Sequence, residues 1–220
     1  MILTAGVRLH GQTAGHYVQW TAGDSGAATF DTTRFGKPVS AGNTVLVLAH
    51  WNDQDVTATI TDSAGDTYIP LVAPMNAGPT ERFQAWYAKN VRGAVELTVT
   101  IHFSKKTRSF SVIDAMEYAG LDKKEPLLGT VSATGSGTIQ SSGQMDLRDK
   151  SNCLFIGLFG YSKYALPYQA GEGFTEKAYE ASTMIEDAAC SSLKKSAATA
   201  TSSNPADWAA VGAAFRTTTQ

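Results

Sequence analysis

The chain has 220 residues, a net charge of -2 and only 17% charged residues. That length suits one large all-β domain with a sizeable core. The balance gives no clustered basic surface of the kind nucleic acid requires. It suits a rigid β-protein displayed outside the cell. No apolar run approaches the ~20 residues of a membrane-spanning helix, so membrane insertion is not expected. Met1 to Thr4 is too short and uncharged for a signal peptide. An exported form would have lost its leader or be a piece of something longer.

Weak strand patterns lie around residues 7–10, 16–20 and 27–31. Residues 44–49, TVLVLA, form an unbroken apolar run of strand length, which predicts a central strand buried on both faces. It leads into a polar loop, His50 to Asp55, with Trp51 near its start. Residues 56–71, VTATITDSAGDTYIPL, read as two short strands joined by a tight turn. Val56, Ala58 and Ile60 alternate with threonines; Asp62 and Ser63 can bond nearby amides, and Gly65 tolerates positive φ. The expectation is a hairpin that sets the register of its neighbours.

Residues 83–89 predict a strand carrying Trp86 and Tyr87. Residues 95–103 give the cleanest alternation in the chain, apolar at Val95, Leu97, Val99, Ile101 and Phe103. Residues 109–118 form the next strand. Residues 127–134 and 137–147 are Ser/Thr/Gly-rich and read as exposed strands and loops. Residues 153–159, CLFIGLF, are a second buried run. Three more strands are expected at 174–181, 184–191 and 196–202. Asn204 to Asp207 reads as a turn. Residues 208–217 have neither clean helical nor clean strand spacing and are assigned as a closing strand.

About a dozen strands with turns every ~8–12 residues predict an all-β fold: one antiparallel two-sheet β-sandwich of jelly-roll type, a single domain over residues 1–220. Cys153 and Cys190 would form one disulfide in an exported protein, or remain as two buried thiols.

NTVLVLA at 43–49, ITDSAGDTY at 60–68, AWYAKNV at 85–91, MEYAGLDKKEPL at 116–127 and WAAVGAAFR at 208–216 form a familiar series. From Gly42 onward the chain resembles a β-sandwich module of exported bacterial proteins, marked by a VTDSAGNTY-like hairpin, WYAKNV and EYSG. Asp66 stands where that pattern has Asn. The resemblance implies a sandwich fold and an exported, extracellular location, with carbohydrate binding the function usually inferred for such modules.

No G-x-S-x-G elbow is present, the four histidines are scattered, and serines are too numerous to single one out. No catalytic residue is therefore assigned. Asp53, Asp55, Glu172, Glu186 and Asp187 offer carboxylates, with no sequence sign that any two face each other. No Cys/His spacing suits zinc. Asp62 and Asp66 offer oxygens to a hard ion such as calcium, the only cofactor considered, but D-S-A-G-D falls short of an EF-hand loop and plain turn chemistry explains both aspartates. If strands alternate in direction from Thr44, one end of the sandwich collects Trp51, Asn52, Asp53, Arg82, Lys105, Arg108, Tyr161, Tyr164 and Tyr168. Aromatic faces with a few polar groups are what a sugar site needs, so these form the candidate ligand site. Alternatively, Trp51 and the tyrosines cap the open end of the core. Trp20, Trp86 and Trp208 are assigned to the core.

The expected function is a non-catalytic carbohydrate-binding or surface-attachment module, with a glycan or cell-surface polysaccharide as partner. The alternatives are a self-assembling structural component of a phage particle or surface fibre, and a jelly-roll glycan hydrolase or lyase.

Overall fold

The computed structural model describes residues 15–147, 151–162, 168–180 and 182–218. The strand expected at residues 7–10 lies outside them, as does Tyr164.

The described strands are β1 (His16–Gly26), β2 (Phe30–Arg34), β3 (Thr44–Asn52), β4 (Ala58–Asp62), β5 (Ile69–Pro70), β6 (Met75–Asn76), β7 (Glu81–Ala88), β8 (Thr98–Phe103), β9 (Phe110–Ala119), β10 (Leu127–Ser141), β11 (Cys153–Tyr161), β12 (Tyr168–Ala170), β13 (Thr175–Glu180), β14 (Thr183–Ala189) and β15 (Thr199–Arg216). Every pairing among them is antiparallel. The antiparallel all-β sandwich read from the sequence is what the chain forms, with three sheets where two were expected.

The central sheet runs β1-β9-β3-β7-β5, with β6 also on β7. Its strands are apolar on both faces. Along β3, Leu46 and Leu48 point to one side, and Val45, Val47, Ala49 and Trp51 to the other. A sheet with two apolar faces needs a cover on each. The outer cover is the small sheet β2-β8-β4, whose Val99, Ile101 and Phe103 close one core. The inner cover is the sheet β10-β15-β11-β14-β13, whose Leu154, Ile156, Leu158, Val211 and Phe215 close the other. This inner sheet has a second apolar face of its own, with Phe155, Phe159 and Tyr161. Leu193, Ala198 and the Cys153–Cys190 pair pack against that face and form a third core.

Cys153 and Cys190 are joined by a disulfide, with Cα atoms 5.4 Å apart. The bond fastens the start of β11 to the short 3₁₀ turn Cys190–Ser192 after β14. It thus holds down the irregular segment over the third core.

The arms of the expected hairpin part company. β4 pairs with β8 in the outer sheet and β5 with β7 in the central one. The turn between them is built to cross layers. The Asp62 carboxylate accepts bonds from the amides of Ala64 and Asp66 and from the Tyr68 hydroxyl, at 3.0, 3.1 and 2.9 Å. Gly65 takes φ of +74°. Asp66 accepts from the Arg92 amide at 3.1 Å, tying the crossing to the next loop.

Two other joins differ from expectation. Residues 127–141 make a single strand through Gly135 and Gly137, paired with β15 along its length. The proposed turn at Asn204 to Asp207 is an irregularity within β15, where pairing jumps from Gly137↔Ala206 to Ile139↔Thr201. The ambiguous run 208–217 has a simple cause. Ala209, Val211, Ala213 and Phe215 face the central sheet, while Trp208, Ala210 and Ala214 face the third core. A strand buried on both faces shows no polar alternation.

The disulfide spans 37 residues of sequence. Its reduction should lower stability by about 2–4 kcal/mol, as loop closure of this size implies. Urea unfolding with and without reductant measures this; equal midpoints would show that the third core holds without it.

Candidate functional site

The loops expected at one end do gather there, but most of the proposed binding residues are occupied with one another. Trp51 is fully buried. Its ring packs on Phe103 with centroids 5.6 Å apart, and its Nε1 donates to the Val56 carbonyl at 3.3 Å. It is a lid on the outer core and not a stacking platform. The reason is strand parity: Trp51 continues the face of Val45, Val47 and Ala49. Asn52 is still in β3, and its carbonyl accepts from the Arg108 amide at 3.0 Å. Asp53 is buried beneath Arg108 and Lys105, 3.2 and 3.8 Å from their nitrogens. Desolvation raises the Asp53 carboxyl, but the Asp55 amide and the two cations outweigh it and hold it below the usual range. These three charges satisfy each other. Arg82 donates to Asn76 Oδ1 at 2.6 Å. Tyr168 stacks on Tyr161 in the third core, centroids 3.8 Å apart. Asp62 and Asp66 spend their oxygens on the layer crossing described above. Among the described residues no group of three His, Cys, Asp or Glu is placed to hold a metal ion.

A different constellation lies at the same end. β3 carries His50 one residue before Trp51, so its side chain takes the opposite face, toward the inner sheet. There it meets the β13–β14 turn. His50 Nδ1 lies 2.8 Å from Ser182 Oγ. Its Nε2 lies 3.1 Å from Glu81 Oε2 at the start of β7, out of line for a hydrogen bond, so that both atoms are buried without one. The Phe110 ring meets the imidazole edge-on, centroids 5.3 Å apart. Ser182 and Glu81 open onto a cleft of about 220 Å³, also bordered by Phe110, Ser111, Ser25 and Tyr161. Among the described residues, Tyr161 is the one member of the expected site that borders it. Ser111 bonds Ser25 at 2.8 Å and donates to Asp31 at 2.9 Å, so the hydroxyl wall is held from behind. Gly160 lets the two sheets close beside the cleft: a Cβ there would stand 2.3 Å from the Phe83 ring.

Serine, imidazole and carboxylate in a row is the order of a nucleophile relay. Here Ser182 is only 4% exposed and the carboxylate is misaligned with the imidazole. The row holds the cleft wall between β3, β7 and the β13–β14 turn. A larger hollow, about 310 Å³, lies by Glu172 and Lys194, but these two exposed side chains pair with each other across it.

Next to the cleft, Thr183 and Trp20 donate to the fully buried Asp114 carboxylate at 2.7 and 2.9 Å. Burial outweighs these bonds and pushes the Asp114 carboxyl up to about 7. On the other face of the inner sheet, burial pushes Glu186 up to about 8, against bonds from the amides of Gly171 and Thr199.

Two outcomes follow from this geometry. Trp51→Ala should cost about 3–5 kcal/mol of stability, the loss of a large core aromatic; a change within about 1 kcal/mol would deny it the lid role. The raised carboxyls set a pH dependence. The folded chain holds these protons more tightly than the unfolded one, whose values sit near 3.8 and 4.5. Their contribution is complete below about 4 and is lost as pH rises through about 7 and 8. Melting temperature should therefore fall from pH 5 to pH 8.5, as scanning calorimetry would read, and Asp114→Asn should flatten part of that slope. A flat or rising profile would contradict the assignment.

No protein-family model, curated protein or solved structure matches the chain.

Proposed function

We propose that the chain is a non-catalytic carbohydrate-binding module of an exported protein, and that the cleft between β3, β7, β9 and the β13–β14 turn receives a terminal sugar. The observation that carries this reading is Glu81. Its carboxylate borders the cleft, held from behind by the His50 imidazole at 3.1 Å, beside the Phe110 ring and the Ser111 and Ser182 hydroxyls. A sugar ring brings an apolar face for an aromatic and hydroxyls that donate to a fixed carboxylate. The volume fits one or two rings and not a long chain. The disulfide supports export, because such bonds persist in oxidising compartments.

A glycan-array screen of the purified chain, followed by titration of the glycan it identifies, tests this. Phe110→Ala and Glu81→Gln should each weaken binding at least about tenfold, and mass spectrometry should recover the glycan unchanged. No retained glycan, or equal binding by both variants, would overturn the cleft assignment. Cleavage of the glycan would overturn the non-catalytic part.

A further inference from the structure

Sheet edges carry unpaired backbone amides and carbonyls, and proteins usually guard them with charge, proline or brevity. Most edges here are guarded. Asp24 lies in β1, Asp31 and Arg34 in β2, Asp62 in β4, and Glu176 and Lys177 in β13, while β5 has only two residues. The exception is β10. Its 15 residues, LLGTVSATGSGTIQS, contain no charge and no proline. One side pairs with β15, and among the described residues no strand pairs with the other. Between Gly129 and Gly137 the pairing with β15 is free of register shifts, so this stretch is regular backbone.

We infer that the free edge of β10 pairs with β10 of a second copy of this chain, antiparallel about a two-fold axis near Thr134. A second copy fits for three reasons. The strand sets no charge against its own copy, so self-pairing meets no repulsion. It carries an exposed apolar side chain near each end, Leu128 at 39% and Ile139 at 71% exposure. In an antiparallel pair centred on Thr134 the Leu128 end of each copy runs alongside the Ile139 end of the other. The symmetric pair uses up both edges and joins two inner sheets into one, which closes the assembly at two copies. The inference is independent of the sugar reading.

Sedimentation of the oxidised full chain over a range of concentrations tests it. The unmodified chain should sediment at twice its 23.3 kDa mass. Thr134→Lys places two ammonium groups face to face and should weaken the dimer at least about tenfold. Ile139→Lys should weaken it as well, and far-ultraviolet circular dichroism confirms that both variants fold. Val95→Lys, at a site 77% exposed and away from this edge, should leave the dimer intact. A chain that stays monomeric, a Thr134→Lys dimer as tight as the original, or an open-ended polymer would each overturn the pairing.

Discussion

The rest of the structure depends on the double burial of the central sheet. β3, β7 and β9 have no solvent face to offer. Leucine, phenylalanine, methionine and tyrosine fill one side, and valine, alanine and tryptophan the other. Apolar area removed from water is the main favourable contribution to folding, at roughly 25 cal/mol per Å². A sheet that exposed either side would forgo about half of that gain. The chain therefore has to supply two covers. Strands β2, β4 and β8 are taken from between the central strands for one of them, and everything after residue 126 serves the other.

Polar groups caught between the layers follow from the same constraint. His50, Glu81 and Asp114 sit where the central strands reach the end of the inner core, and each is met by a group from the β13–β14 turn or a neighbouring strand. Burying such groups is costly unless they are bonded. Asp114 is fully met by Trp20 and Thr183. Glu81 is met by the His50 imidazole on one side and borders the cleft on the other. Just past β3, the buried Asp53 is met by Arg108 and Lys105.

The sequence was legible wherever a property was local. The apolar runs of β3 and β11 and the alternation of β8 came through, because side-chain period reports burial directly. Sheet membership did not. The DSAGD turn looks the same whether it returns a strand to its neighbour or carries it to another layer, and only the pairings of β4 with β8 and β5 with β7 decide that. Trp51 was misplaced because polar neighbours suggested the strand had ended, whereas β3 continues to Asn52. His50 and Ser182 were missed for another reason. They are 132 residues apart, His50 looked like the first residue of a loop, and nothing in the chain distinguishes Ser182 from other serines. Placing Trp51 within β3 would have pointed His50 to the opposite face.

The pairing of β1 with β9 has a consequence for how the chain comes together as it is synthesised. Trp20 lies opposite Met116, so β1 waits for nearly a hundred residues before its partner exists. Non-local pairings of this kind are slow, since the chain must close a long loop before gaining any contact. Once β9 has joined, the central and outer sheets can unite, but the face bearing Leu46, Phe83 and Met116 still has nothing against it. It stays bare until β11, β14 and β15 have emerged. Over that interval a nascent chain displays a broad sticky surface, the kind that chaperones hold. The C-terminal half is thus a shield that arrives last, and a chain truncated before it would have little means of staying in solution.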